Sequence, residues 1–240
     1  DVRRMLLTQR AWNEASRAFA VYVGLQLDIA NHHPDATTQE TAARRVALLT
    51  PVAKAFFTDK GFDACVLGQQ VLGGHGYIRD NLQEQLVRDA RIAQIYEGTN
   101  GIQAQDLLKR KVLANGGRWI RDFILEMEQD VAQTSAVFAT EEDAVLKACS
   151  TLRELTLWLV KQDKRDADLC GSSACDYLHM VGHTVYAWLW LKMIAADPTD
   201  TDKHVLGRFY FGRLLPQLHA LDAAVRSGPD LVMDLPVEKF

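Results

Sequence analysis

Apolar positions recur every three or four residues along most of the chain, whereas the strict alternation typical of half-buried strands is almost absent. This period predicts an all-α fold, with a helical bundle over residues 118–240. The predicted helices are 2–31, 39–72, 84–96, 101–114, 118–138, 141–163, 173–196 and 203–226. Turn-forming residues mark the expected breaks between them, at 32–35, 73–74, 115–117, 166–173 and 197–198.

The pair Gly116-Gly117 is the expected boundary between two domains, 1–114 and 118–240. One apolar stripe of the second domain is formed by Val145, Leu152, Leu155 and Leu159. A segment that is apolar on most sides, and therefore expected at the centre, contains Tyr186, Trp188, Leu189 and Trp190. Thr140 with Asp143 resembles a capping box, which predicts a helix start at that point.

Composition and charge narrow the class of protein. The chain is 48% hydrophobic and 24% charged, with 27 basic against 31 acidic residues, as expected of a soluble globular protein. A net charge of −4 offers no basic face, which argues against nucleic-acid binding. The longest apolar run, 185–196, contains Lys192 and is too short to span a membrane.

The four cysteines show no CxxC pair, so reduced thiols in a reducing compartment are the simplest interpretation. Cys170 and Cys175 flank an expected Gly-Ser-Ser turn, where they could approach each other. We expect a cytoplasmic bacterial protein.

The segment 95–100, Ile-Tyr-Glu-Gly-Thr-Asn, places a carboxylate where a helix should end. Ile95 and Tyr96 follow helical spacing, and Gly98 allows the chain to leave the helix with a positive φ. Partial burial of Glu97 beside Tyr96 would raise the pKa of its carboxyl group, as a proton-abstracting base requires. A solvated glutamate before a capping glycine is the alternative.

A second signal is the glycine-rich segment 70–77, in which Gly73, Gly74 and Gly76 close an apolar run. Backbone N–H groups in such a turn can approach a phosphate closely, although most turns of this kind bind nothing. The segment lacks the strand context of a dinucleotide fingerprint, and no Lys-Ser/Thr follows as in a P-loop.

In order and spacing, these segments closely resemble the C-terminal helical domain of the acyl-CoA dehydrogenases. The glycine turn precedes Glu97 by 23 residues (97 − 74), Val-Arg-Asp-Ala-Arg lies between them at 87–91, and Ile-Gln follows at 102–103. The resemblance covers about residues 1–114, and it implies that they form an up-and-down helical bundle, which is followed by a second helical bundle. Residues 118–240 resemble the extension of the longer bacterial members, including those that act on 3-methylmercaptopropionyl-CoA.

The resemblance implies an oxidoreductase of fatty acid metabolism with FAD as cofactor and an acyl-CoA as substrate. It implies that Glu97 removes the α-proton of the thioester and that Gly98 lies against the thioester. The implied FAD contacts in the same subunit are Thr99, Asn100 and Gly101. Five further residues would contact the adenosine-pyrophosphate part of the FAD held by a neighbouring subunit: Gln70, Val71, Leu72, Gly73 and Gly74. A homo-oligomer, dimer or tetramer, and electron transfer to an electron-transferring flavoprotein are also implied.

Members of this family carry an N-terminal helical domain and a β-domain, which 240 residues cannot include. The first helix of the C-terminal domain is missing as well. We therefore expect the chain to be the C-terminal part of a longer enzyme and to be inactive alone. Two alternatives are a non-catalytic helical assembly module and an acyl-CoA oxidase, a class that shares the Gly-Gly-His-Gly-Tyr turn.

His179 and His183 are spaced to face one side of a helix, with Asp176 one turn earlier. Met180 stands where a zinc protease would carry its general base, and no further ligand is evident. We therefore expect no metal site here, but a hydrogen-bonded or exposed pair of histidines.

Overall fold

A computed structural model describes residues 1–134, 138–163, 166 and 168–240 of the chain. These residues form helices and connecting turns without strands, which confirms the predicted all-α class. The α-helices are α1 Val2–His32, α2 Ala36–Val71, α3 Gly74–Tyr77, α4 Gln83–Ala93, α5 Asn100–Gln105, α6 Arg118–Val131, α7 Ala139–Gln162, α8 Leu169–Ala196, α9 Thr201–Phe209, α10 Gln217–Arg226 and α11 Asp230–Met233. Wider π-helical turns extend α5 over Asp106–Val112 and α9 over Tyr210–Leu214.

Most predicted helices are present, with ends displaced by a few residues. The predicted helix 118–138 ends at Val131, and the predicted helix 203–226 is divided into α9 and α10 before Gln217. Pro216 directly precedes α10, and a proline lacks the N–H that would continue the preceding helix. A local period of apolar residues cannot show such a division.

The predicted Gly-Ser-Ser turn and the predicted capping role of Thr140, both within 118–240, are wrong. The expected Gly-Ser-Ser turn is helical, because α8 already begins at Leu169. Cys170 and Cys175 are free thiols on this one helix, about 140° apart around its axis, so they do not approach each other. A helix does begin near Thr140, as predicted, but Thr140 does not cap it, since α7 begins at Ala139 and Phe138 precedes it without a side-chain cap.

The long helices α1 and α2 are joined by a short turn and pack against each other as an antiparallel pair. The Oδ2 atom of Asp35 accepts hydrogen bonds from the backbone N–H and the hydroxyl of Thr38, at 2.8 and 2.7 Å, and so caps α2. Phe19 of α1 and Phe56 of α2 are both fully buried in the same core.

Helix α8 lies at the centre and contacts α1, α2, α5, α6, α7, α9 and α10. The apolar segment around Trp188 is buried, as its sequence predicts, and so is the predicted stripe of α7. The ring centroids of Tyr186 and Phe56 are 4.9 Å apart, so α8 packs directly on α2. One continuous core therefore includes residues from both sides of Gly116-Gly117.

Polar contacts between the two parts surround this core. The Tyr22 hydroxyl donates to Glu126 at 3.0 Å, and Arg45 pairs with the same carboxylate. Lys203 of α9 pairs with Glu14 of α1. In the part of the chain that the structure describes, no helix has the length and apolar character needed to cross a membrane.

Candidate active site

The turn between α4 and α5 carries the predicted base. Glu97 has φ 51°, which is uncommon for a residue other than glycine, and Gly98 follows with φ 86°. The left-handed backbone at Glu97 costs about 1 kcal/mol relative to an ordinary conformation. It persists because the Gln103 side chain donates to the Glu97 carbonyl at 3.2 Å, and the Lys54 ammonium donates to the Gly98 carbonyl at 2.8 Å.

Asp59 of α2 holds both ends of this turn. Its Oδ1 atom accepts hydrogen bonds from the side-chain amides of Gln94 and Asn100, each at 2.7 Å. The Asn100 backbone N–H donates to the Gln94 carbonyl at 3.1 Å, which closes the loop 94–100. Lys54 completes the arrangement, because its ammonium group also donates to Asn100 Oδ1 at 2.8 Å.

Sequence reasoning did not find Lys54 or Asp59. The available signal was that Lys54, Thr58 and Asp59 are polar positions in an otherwise apolar part of α2. Such residues are stable at a half-buried position only when they find partners. The partners of Lys54 and Asp59 lie at least 35 residues away, and no local pattern predicts them.

Burial and polar interactions shift the pKa values of Asp59 and Lys54 in opposite directions. Burial alone would raise the pKa of the Asp59 carboxyl group, but hydrogen bonds from His179, Gln94 and Asn100 outweigh it and lower the pKa. Burial lowers the pKa of the Lys54 ammonium group, although the charges of Asp59 and Glu97 oppose this shift. The turn is therefore tied to α2 through a carboxylate and an ammonium group.

The described residues do not provide the partial burial expected for Glu97. Its side chain is exposed, and Tyr96 beside it is 52% exposed. Three further large apolar side chains around the turn, Ile92, Ile95 and Ile102, are also exposed. Exposed apolar groups clustered around a polar turn are typical of a surface that another molecule or chain segment covers.

The three residues predicted to contact FAD in the same subunit differ in which of their groups are already engaged in contacts within the chain. Thr99 caps α5, because its Oγ1 accepts from the Ile102 N–H at 3.4 Å. The Asn100 side chain points to α2, where its amide binds Asp59 and Lys54, so only its backbone is left for a ligand. Gly101 is unobstructed, since an added Cβ would meet only Thr99 Oγ1, at 3.9 Å.

The predicted adenosine-pyrophosphate site forms a second, separate turn at the end of α2. Gly73 has φ 58°, and a Cβ at Gly73 or Gly74 would meet no atom within 4 Å. Gln70 and Leu72 are also exposed, whereas Val71 is half-buried. Gln70 lies twelve residues after Thr58, which is about 18 Å along the helix, so α2 keeps the two turns well apart.

The histidine pair on α8 has partners other than a metal. The Nε2 atom of His179 lies 2.8 Å from Asp59 Oδ2, and the buried His183 contacts the Tyr210 hydroxyl through Nδ1 at 3.2 Å. Among the described residues no group of three potential metal ligands comes together.

A groove of about 840 Å³ lies elsewhere, between α1, α2 and α4. Trp12, Phe57 and Lys60 line it, together with Gln83 and Leu86 of α4. None of the predicted site residues belongs to this groove.

Two family models match the chain, one on each side of Gly116-Gly117. "Acyl-CoA dehydrogenase, C-terminal domain" matches residues 3–112, and "Acetyl-CoA dehydrogenase C-terminal like" matches residues 123–236. Over 201 residues the chain is 36% identical to the 3-methylmercaptopropionyl-CoA dehydrogenase of Ruegeria pomeroyi. The chain belongs to the acyl-CoA dehydrogenase family.

The relatives are much longer than this chain. The alignment with the Ruegeria pomeroyi acyl-CoA dehydrogenase family member covers 82% of the chain but 34% of that protein. The broad-specificity linear acyl-CoA dehydrogenase FadE5 of Mycobacterium tuberculosis is 29% identical over 89% of the chain and 37% of its own length. The chain thus spans about a third of the length of these relatives.

A solved structure agrees with the fold of this acyl-CoA dehydrogenase family member. The crystal structure of Caenorhabditis elegans ACDH-11 in complex with C11-CoA superimposes with a TM-score of 0.69. The match covers 93% of this chain and 38% of that chain, at 18% sequence identity. The likeness shows that helices of both parts of the chain are arranged as in that protein.

Proposed function

We propose that this chain is the C-terminal part of an FAD-dependent acyl-CoA dehydrogenase that oxidises the α,β bond of an acyl-CoA thioester. Glu97 is the base that removes the α-proton, and Gly98 lies against the thioester. The family and the names of the relatives support an acyl-CoA as the substrate class.

The observation that carries the proposal is the backbone of Glu97. A left-handed glutamate in a turn held by Lys54, Gln103 and Asp59 is a strained residue that its surroundings fix in place. Such strain concentrates at active sites, where a side chain must point in one direction. The turn directs Glu97 away from the core and leaves its carboxylate accessible.

The proposed reaction balances between the acyl-CoA and FAD, which would be the two-electron oxidant. The carboxylate of Glu97 would take the α-proton, the β-hydrogen would be lost as hydride with flavin N5 as its acceptor, and a carbon–carbon double bond would form between Cα and Cβ. The developing negative charge lies on the thioester oxygen, where hydrogen-bond donors must stabilise it. The backbone N–H of Glu97 is the donor that this chain would supply.

The base and this donor work best when water is excluded. In this chain Glu97 and the apolar side chains of Ile92, Ile95, Tyr96 and Ile102 are exposed. We infer that the rest of the enzyme, the substrate and the flavin cover them. The chain alone should therefore bind FAD poorly and should not turn over.

The residues present fit FAD at two places. The space beside the backbone of Gly73 and Gly74 is empty, so a phosphate could approach these residues without a clash. Gln70, Val71 and Leu72 precede the two glycines and would flank the phosphate. The backbone of Thr99, Asn100 and Gly101 would meet the flavin end. In line with the family resemblance, we propose that the two turns contact the FAD groups of two subunits. This sharing requires a homo-oligomer.

We also propose electron transfer to an electron-transferring flavoprotein and a cytoplasmic bacterial location.

The test of the proposed role of Glu97 uses the intact enzyme, with wild type and Glu97→Gln compared under anaerobic conditions. Wild type should be yellow and should bleach when a panel of acyl-CoAs is added. The variant should retain the yellow colour without bleaching, because an amide cannot accept the proton.

Two results would contradict this proposal. Loss of FAD from Glu97→Gln would give Glu97 a structural role, and absence of bleaching by any acyl-CoA would favour a non-catalytic assembly module. Rapid reoxidation of the reduced enzyme by oxygen, with stoichiometric peroxide, would instead identify an acyl-CoA oxidase.

A further inference from the structure

Helix α8 of the second matched region reaches the turn that carries Glu97. The Nε2 atom of His179 lies 2.8 Å from Asp59 Oδ2, across 120 residues of sequence. The other oxygen of Asp59 accepts from Gln94 and Asn100, the first and last residues of the loop 94–100. One carboxylate thus joins the second helical region to both ends of the loop.

The contact between His179 and Asp59 is partly buried, and the ring of Phe56 packs against the histidine. The side chains of His179 and Asp59 are 24% and 22% exposed. The Phe56 ring lies edge-on to His179, with centroids 5.2 Å apart, and limits the movement of the imidazole. A hydrogen bond to a charged group in such a place is stronger than one at a fully exposed surface.

We propose that His179 is a positioning residue for the base: through Asp59 it fixes the loop 94–100 and so the direction of Glu97. This inference rests on the proposed function. It assigns the region 123–236 a part in the chemistry of the first domain, since the loop would lose one of its anchors without α8. The imidazole Nε2–H donates, because an ionised carboxylate can only accept.

Two substitutions separate positioning from general structure. The amide nitrogen of a glutamine reaches about as far as Nε2 of histidine, whereas asparagine has the same amide chemistry and stops one methylene short. His179→Gln should keep the bond to Asp59, and His179→Asn should lose it. His219→Asn on α10 is the control, because His219 is exposed on a helix that does not carry the loop.

The experiment uses the intact holoenzyme and two readouts. Hydrogen exchange of the peptide that contains residues 94–105 should be about tenfold or more faster in His179→Asn, the factor expected when a hydrogen bond to a charged group is lost. The limiting rate of anaerobic bleaching should fall by a similar factor, with little change in the acyl-CoA concentration at half-maximal rate. His179→Gln should restore both, and His219→Asn should match wild type.

Unchanged exchange of the loop in His179→Asn would overturn the inference, and so would equal effects of the asparagine and glutamine variants. Faster exchange throughout α8 and α10 would also overturn it, because His179 would then stabilise the fold rather than the loop. The exchange readout does not need the reaction. If wild type fails to bleach, the proposed function is wrong, while exchange still decides whether His179 positions the loop.

Discussion

The ring of Phe56 fills the space that a side chain at Gly182 would need. A Cβ built on Gly182 would lie 2.5 Å from Cγ of Phe56, and it would be within 2.7 Å of both Cδ atoms. The ring cannot easily move away, because His179, His183 and Tyr186 surround it at centroid distances of 5.2, 5.0 and 4.9 Å. Glycine at this position therefore permits the close packing of α8 on α2.

Gly182→Ala should destabilise the protein by about 1 to 3 kcal/mol, the range for overpacking a dense core. The matched control is Gly24→Ala, which lies in α1 with no atom within 4 Å of the new Cβ. Alanine should stabilise that helix by up to about 1 kcal/mol. Denaturant unfolding of the two variants checks the difference, and equal midpoints would show that α8 can move away from Phe56.

Replacing Glu97 by glycine should separate stability from chemistry. Glycine accepts φ 51° without the penalty of about 1 kcal/mol, so the free energy of unfolding of Glu97→Gly should be unchanged or slightly higher. Activity of the intact enzyme should nevertheless be lost. Leu82, at φ 64°, is the other left-handed residue besides glycine among those described, and Leu82→Gly should show a similar stability change.

A clear loss of stability in Glu97→Gly would contradict the strain argument. It would mean that the carboxylate makes a stabilising contact that outweighs the cost of its backbone conformation. Comparison of the melting temperatures of wild type and the two glycine variants decides between these cases.

The sequence is sufficient to predict the helices and the central position of the segment around Trp188, because both follow from the local period of apolar residues. It fails where packing overrides local preference. The Gly-Ser-Ser segment reads as a turn, but Ser173 and the adjacent Ala174 are buried, and their packing keeps this part of α8 helical.

The candidate site also has features that the sequence predicts and features that it does not. The Glu97 motif is contiguous, so its family could be recognised from the sequence. The anchors of its turn are not contiguous: Asp59 and His179 are separated by 120 residues, and no local pattern indicates that they pair. For Glu97 the sequence left partial burial and a solvated side chain as alternatives, because the degree of burial depends on the groups that cover the turn.

Lys54 should matter more to activity than its single charge suggests. Its ammonium group donates at 2.8 Å both to the Gly98 carbonyl and to Asn100 Oδ1, so Lys54→Met removes two anchors of the turn beside the base. We expect the bleaching rate of the intact enzyme to fall at least about tenfold, as for the loss of hydrogen bonds from a charged group.

The control for this prediction is Lys147→Met. Lys147 pairs with Asp143 at 2.6 Å on the exposed face of α7, and exposed pairs contribute at most about 1 kcal/mol. The bleaching rate of this variant should equal that of wild type. Equal rates for both methionine variants would show that the turn keeps its conformation without Lys54.

Acid should remove part of the stability that Asp59 provides. Because its pKa in the folded protein is lowered below the unfolded value of about 3.9, the charged form stabilises the fold above that pH. This contribution is lost as the pH falls through the lower, folded-state pKa. The difference in unfolding free energy between wild type and Asp59→Asn should therefore be constant near neutral pH and should shrink below about pH 4.

Asp143→Asn is the matched comparison, since the carboxylate of Asp143 is exposed and pairs with Lys147 at the surface of α7. Its unfolding free energy should stay close to that of wild type at neutral pH. Denaturant unfolding of the three proteins between about pH 3 and pH 7 gives the two difference curves. A difference for Asp59→Asn that grows as the pH falls would mean that burial, and not its hydrogen bonds, controls this carboxylate.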